Sequence, residues 1–396
     1  MQAITQILSP KGIRFDCSGC ANCCLQWPVP VSHEDYQRIS KLDVCSGAKA
    51  ELRSLRSSRE SLIAFTHTLE KKSDGKCAYL NEEKRCLLHV EHGAAAKPSM
   101  CQLFPYTFMV TPDAVLAGLS FASSAVLYNT GTLLSEQADT LRRQFEIFQS
   151  LFKPKPELWQ QTQLLDGVKL SWDQFKPIDQ RLLQTIDSAD SMSKKLKTAT
   201  QTVLTELPDK QLAEREPRLE ARPKIVDQLL LKHLEGLYFP EQVFQEDKYD
   251  FDARGMIKEI TTAPDSVSFG QGKNVCKFAD LIKTRLPKIQ EVEDLFDRFL
   301  YVRFFSKMYF GPGFHHLSLL SGINHLRILH VLLRLKLKQL LCINTKAEID
   351  FETAAEILRT LERRLTQLDL GKESQAVLEV MLASPSRQDR ITFLSE

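Results

Sequence analysis

Four cysteines fall within eight residues of one another: Cys17-x2-Cys20-x2-Cys23-Cys24. The stretch Phe15 to Cys24 is otherwise small and polar, and core packing gives no reason for so many thiols there. Three more follow as Cys77, Cys86 and Cys101, with Cys45 between the two blocks, while Cys276 and Cys342 stand alone in the rest of the chain. Clustered thiols in a reducing compartment bind metal or do redox chemistry, whereas a disulfide framework needs an oxidising one. The chain is therefore constrained to fold its N-terminal part around a thiolate metal site.

Soft thiolate donors select zinc or iron–sulfur centres. The C-x2-C-x2-C run opens like that of a bacterial ferredoxin, but Cys24 breaks the pattern by being adjacent to Cys23. In a helix, Cys17, Cys20 and Cys24 would share a face and Cys23 would point about 100° away from Cys24. Either four of the seven thiols make one site and three pack nearby, or all seven feed a multinuclear site. Seven exceed the four that a structural zinc needs, which favours an iron–sulfur cluster, 4Fe-4S in first place, over zinc. The expected metal-site residues are Cys17, Cys20, Cys23, Cys24, Cys77, Cys86 and Cys101, with His89 as a further candidate three residues after Cys86. Cys45, Cys276 and Cys342 read as isolated buried thiols.

The remainder is ordinary. The chain has 396 residues, 43% hydrophobic and 26% charged, with a net charge of +2. That balance excludes a disordered or low-complexity chain and gives no global reason to bind nucleic acid or an anionic membrane. No apolar run is long enough for a membrane span, and Met1 to Pro10 lacks the basic and apolar regions of a secretory signal, so the expected location is cytoplasmic.

The pattern predicts a mainly α protein: a small irregular α+β cysteine-rich metal-binding domain over 1–125, then an all-α helical domain over 126–396. Ser32 caps a helix from His33 to about Leu42, and Lys49 to Glu60 reads as a second helix. Cys77 to Leu80 reads as a short strand whose turn at Asn81–Lys84 brings Cys77 to Cys86. Tyr106–Val110 and Ala114–Ser120 flank a Thr-Pro-Asp turn and form a hairpin. Helical spacing covers Leu133–Phe152, Arg181–Leu207, Ile225–Leu237, Val275–Phe310 with a break at Pro287, His316–Leu341, Phe351–Leu368 and Gln375–Leu382. The charged, proline-bearing stretch 207–224 reads as a linker or exposed loop.

The residues Phe15-Asp16-Cys17-Ser18-Gly19-Cys20-Ala21-Asn22-Cys23-Cys24 resemble the opening motif of the YkgJ-type cysteine-cluster proteins, a zinc- or iron-chelating group. The second block of that group is matched by Cys77-Ala78-Tyr79-Leu80, Cys86-Leu87-Leu88-His89 and Cys101-Gln102-Leu103-Phe104-Pro105. Several relatives carry a further Cys-Pro where this chain reads Phe121-Ala122-Ser123-Ser124-Ala125, which implies one thiolate fewer here. Long members are similar to flagellin lysine-N-methylase (FliB-type), so the resemblance implies an enzymatic alternative using S-adenosylmethionine.

The residues themselves support a metal-binding protein whose helical domain takes a protein partner or a small ligand. No G-x-G-x-x-G after a strand, P-loop or C-x3-C-x2-C run is present. His315, His316, His325 and His330 read as solvated or hydrogen-bonded structural histidines. Arg327, His330, Arg334 and Lys338 read as the solvated stripe of a bundle helix.

Overall fold

The computed structural model describes residues 6–25, 27–44, 53–54, 65–208, 223–240, 248–249, 258, 267–271, 274–344 and 347–392. The chain divides into two units, Met1–Lys155 and Pro156–Glu396. It is mainly helical, with a small α+β N-terminal region ahead of a helical unit. No helix of the described residues is long and apolar enough to cross a membrane.

Two small sheets organise the first unit. Strand β1 (Ile7–Leu8) runs parallel to β6 (Val115–Leu119), whose other edge pairs with β5 (Tyr106–Val110). The β5–β6 hairpin keeps the expected register, Tyr106 opposite Leu119 and Val110 opposite Val115. Its turn is closed by Thr111, whose backbone and hydroxyl both donate to the Ala114 carbonyl. In the second sheet, β2 (Pro30–Ser32) and β3 (Arg53–Ser54) flank β4 (Phe65–Thr68). Helix α1 (His33–Ile39) starts where the sequence places it, with the Ser32 hydroxyl accepting from the Asp35 N–H at 3.1 Å.

Most of Lys49–Glu60 lies outside the described residues, and its Arg53–Ser54 is a strand, not helix. Cys77–Leu80 is a turn held by isolated bridges; Leu80, rather than Cys77, pairs with Cys86. Helix α2 (Leu87–His92) follows Cys86, and α3 (Ser99–Leu103) carries Cys101. The helix expected from Leu133 begins at Ala138 and ends at Leu151, because Leu134–Glu136 is a tighter 3-10 turn.

The entry to the first cysteine block is latched onto 129–137. Phe15 and Asp16 donate backbone hydrogen bonds to Thr132 and Thr130, and the Asp16 carboxylate accepts from the Thr132 N–H and hydroxyl, both at 2.9 Å. Gly131 makes this approach possible: its φ is +102°, and a Cβ there would lie 2.4 Å from the Asp16 nitrogen. Gly131→Ala is accordingly expected to break the latch, at a cost of several kcal/mol. Thermal melts of parent and variant check this; an unchanged midpoint would contradict the geometry.

The second unit is built around one helix, Leu319–Ile343, buried on every side from Leu319 to Leu333. The helices Trp172–Ile186, Met192–Thr205, Ile225–Tyr238, Gln290–Phe305, Phe351–Gln367, Lys372–Leu382 and Pro385–Thr392 make up most of the rest. Gly322 lets the loop at Tyr309 touch the central helix, since a Cβ would meet the Tyr309 carbonyl oxygen at 2.3 Å. Three expectations change here. Val275 belongs to a hairpin, Ser268–Gln271 with Asn274–Lys277, and helix resumes at Phe278–Lys283 and Gln290–Phe305. Cys276 and Cys342 are not isolated thiols: they form a disulfide joining that hairpin to the end of the central helix. The stripe Arg327, His330 and Lys338 is buried, not solvated. Arg327 pairs with Asp389 at 2.8 Å and Arg334 with Glu293, because neighbouring helices bring carboxylates to that face. Cys45 and most of 207–224 lie outside the described residues.

Charge is buried elsewhere too. Asp227 is fully enclosed and accepts from Arg387 at 3.2 Å and Arg390 at 2.6 Å. His325 hydrogen-bonds the Tyr238 hydroxyl at 2.6 Å and stacks on Phe314. Burial, then Arg303 and His315, pulls its pKa down to about 3; burial and Arg334 pull His330 down to about 3 as well. Both imidazoles are thus neutral in the fold, while the unfolded chain protonates them below about 6.5. Asp297 acts in the opposite sense, pushed up to about 6 by burial and by Glu293. It keeps its proton in the fold at pH values where the unfolded carboxyl has lost it. Each histidine destabilises the fold by up to ~1.4 kcal/mol per pH unit below 6.5, and Asp297 offsets part of this between about 6 and its ordinary value. The melting midpoint should fall between pH 7 and pH 5. His330→Leu should flatten that fall and Asp297→Asn should steepen it; identical profiles for all three proteins would refute the assignment.

Candidate metal centre

The first cysteine block is not a helix. Gly19 and Ala21 both have left-handed backbone, with φ of 66° and 59°, and only Asn22–Cys24 closes into a 3-10 turn. The left-handed residues turn the chain between Cys20 and Cys23, so Cys17, Cys20 and Cys24 do not share a helical face. The turn also changes the relation of the adjacent pair: the Cys23 and Cys24 sulfurs stand 4.0 Å apart. Two thiolates bound at ~2.3 Å to one tetrahedral ion are separated by nearly that distance.

The second block is held against the first by its backbone. The Cys77 N–H donates to the Cys24 carbonyl at 3.0 Å, and Leu25 bridges to Lys76. Cys86 stands at the start of α2, where its carbonyl accepts from the His89 and Val90 N–H groups, both at 3.0 Å. Cys101 is placed through a buried knot at its helix start. Asp35 accepts from the Ser99 N–H at 2.8 Å and hydroxyl at 2.9 Å, and from Arg38 at 2.6 Å. Arg38 also donates to the carbonyls of Ala95, Ala96 and Lys97. Asn22 donates to the Ser124 hydroxyl at 2.7 Å, so the position near which relatives carry Cys-Pro is here a hydrogen-bonded serine.

These placements bring Cys17, Cys23, Cys24, Cys77, Cys86 and Cys101 onto the lining of one cavity of about 510 Å³. Cys20 is exposed and lies outside that lining. His89 lines the cavity as well. Cys24, Cys77, Cys86 and Cys101 form the inner set, in which Cys24, Cys77 and Cys86 each raise the cost of ionising Cys101. The Cys24 thiol is pushed up first by its contact with Cys23 and then by burial. Burial is the main cause for Cys77, Cys86 and Cys101. Lone thiolates are thus disfavoured, and a bound cation is what would stabilise them. Among the described residues, no three His, Cys, Asp or Glu side chains stand ready to enclose an ion. Closing a site requires the sulfurs to turn toward one another. The donor chemistry fits a soft metal: several thiols and no carboxylate line the cavity.

Two lysines complete the electrostatics. Lys71 donates to the Cys24 carbonyl at 3.1 Å and faces Cys77, Cys24, Cys101 and Cys23; burial lowers its pKa. Lys97 faces Cys24, Cys86 and Cys101. The sequence offered a signal for the first in Lys71-Lys72, just ahead of the second block, but loop lysines are ordinarily solvated.

Comparison with known proteins fits this geometry. Residues 16–125 match the family model described as "Putative zinc- or iron-chelating domain". The chain is similar to the uncharacterized protein MJ0939 of Methanocaldococcus jannaschii, 22% identical over 174 residues, which are 41% of this chain and 56% of that protein. The chain thus spans little more than half the length of that relative. No solved structure matches. The family match is confined to residues 16–125, the stretch that carries both cysteine blocks.

Proposed function

We propose that the first unit holds an iron–sulfur cluster, with Cys24, Cys77, Cys86 and Cys101 as the inner donors and Cys17, Cys20 and Cys23 completing the set. The observation that carries this reading is the gathering of six thiols on one cavity from three separated stretches of chain. Their number supports a centre of more than one metal ion over a lone structural zinc, which is satisfied by four ligands, and an all-thiol donor set is the usual holder of an iron–sulfur cluster. The cluster would supply electron-transfer or scaffold chemistry. The chain's own residues supply the thiolates, and Lys71 and Lys97 offset their charge. The helical unit is proposed to receive a protein partner or small ligand. The alternative of a lysine methylase using S-adenosylmethionine rests on resemblance alone, and no feature of the described residues is put forward for it.

Protein purified without oxygen from iron-rich cells should be brown and contain iron and acid-labile sulfide. A colourless protein with stoichiometric zinc would replace the cluster with zinc, and a folded protein without metal would overturn both. Cys77→Ser and Cys101→Ser should each remove most of the metal, and Cys20→Ser much less. Full metal content in both inner variants would refute the donor assignment.

Metal ligation contributes on the order of 10 kcal/mol in small metal-dependent domains. A chelator acting on the protein should therefore expose Met1–Lys155 to protease well before Pro156–Glu396. Because the thiols must lose protons to bind, and burial opposes that loss, metal retention should fall steeply on acidification. Equal protease resistance of both units after metal removal would show that the metal is not structural.

A further inference from the structure

The cavity is far larger than an ion. Its volume of about 510 Å³ compares with a water molecule's share of ~30 Å³ and lies in the ~300–1,000 Å³ range of small-molecule sites. Besides the thiols its lining carries apolar side chains: Trp27, Val29, Leu69, Leu80, Leu88 and Phe104. Val29, Leu69, Leu80 and Leu88 belong to the buried core of this unit, so that part of the lining is fixed by packing. The charged residues on the lining are Lys84, Arg85 and Lys97, with His89 beside them, and no aspartate or glutamate. Arg85 is engaged by Glu83, which leaves the two lysines as the other cations on the lining.

From this arrangement we infer that the cavity binds a small molecule with a carboxylate head and an apolar body, placed beside the metal-binding cysteines. The inference rests on the proposed metal reading only for what lies next to the ligand. The apolar wall requires an apolar body, since burying polar groups there without partners is costly. The cations require an anionic head. A thiolate-bound metal centre carries net negative charge, and Lys71 together with the lining lysines keeps the chamber from repelling an anion. A phosphate head fits less well. Phosphate sites draw on clustered backbone N–H groups at a helix start, and here the Leu87 and His89 N–H groups of α2 donate to the Tyr79 and Cys86 carbonyls and the Ser99 N–H of α3 donates to Asp35.

The test uses the full-length, metal-loaded protein and octanoate as probe. Octanol, octylammonium and inorganic phosphate serve as comparison arms, and binding is followed by calorimetry and by fluorescence. Octanoate should saturate a single site about tenfold more tightly than octanol, the difference expected for a charge-assisted contact. Octylammonium and phosphate should not saturate. Leu69→Trp should fill the chamber and abolish binding. Lys97→Met should weaken octanoate about tenfold and leave octanol unchanged, which keeps the proposal testable if the tryptophan variant does not fold. Equal affinity for octanoate and octanol, saturation by phosphate, no saturation at millimolar octanoate, or unchanged binding in folded Leu69→Trp would each overturn it. Metal content measured on the same samples separates the two readings. Octanoate binding to a chain that never acquires metal would end the metal proposal and sustain this one. Metal-loaded protein that ignores octanoate would do the reverse.

Discussion

A backbone hydrogen bond, from the Cys77 N–H to the Cys24 carbonyl, joins two cysteine blocks that are far apart in sequence. Around it the first unit has few long elements with which to bury a core. Cysteines therefore serve as core residues too: Cys77 is buried with Val31, Ile39 and Leu88, and Cys24, Cys86 and Cys101 pack against them. The apolar cluster and the thiol cavity share one wall, so loss of either would undermine the other. The Asp35–Arg38–Ser99 knot extends the same logic. A charged side chain buried at 3% exposure survives because each carboxylate oxygen is paired, and the pairing fixes the turn that leads to Cys101.

The helical unit solves a different problem. A helix buried all round must be apolar or have its polar groups satisfied. Leu319–Ile343 is largely apolar and satisfies many of its buried polar groups, though His330 Nε2 has no partner among the described residues. Ser318 and Ser321 at its start meet the carboxylate of Glu379, and Asn324 lies between the Thr200 hydroxyl and the Leu382 carbonyl. Arg327 and Arg334 reach carboxylates on neighbouring helices. These contacts fix which helix sits against which face, and apolar packing alone would not select the register.

Much of this was legible in the residues. The cysteine blocks, the Ser32 cap, the β5–β6 hairpin and most helices follow from local spacing and turn chemistry. The failures are instructive because each needed information from distant chain. Left-handed backbone at Ala21 has no local signature, so the convergence of Cys23 and Cys24 was hidden. The burial of Arg327 and the placement of Arg334 depend on Asp389 and Glu293, which no periodicity of the central helix reveals. The hairpin at Val275 has an apolar pattern that short strands share with helices. The pairing of Cys276 with Cys342 joins residues 66 apart in sequence and belongs to tertiary structure alone.

That pairing divides the chain's sulfur into two chemical regimes. One unit carries seven described free cysteines, and the other carries sulfur already oxidised. Conditions that preserve the first set as ligands tend to cut the second, and oxidants do the opposite. Cys276 is only 4% exposed, so a thiolate attacking that sulfur has little access until the hairpin lifts from the helix end. The crosslink also closes a long loop, and its loss would return on the order of 4 kcal/mol of chain entropy to the unfolded state. Cys342 is only half-buried, so exchange reaches the bond more readily from its side, and the persistence of both sulfur states in one molecule is a matter of which end is attacked and how fast.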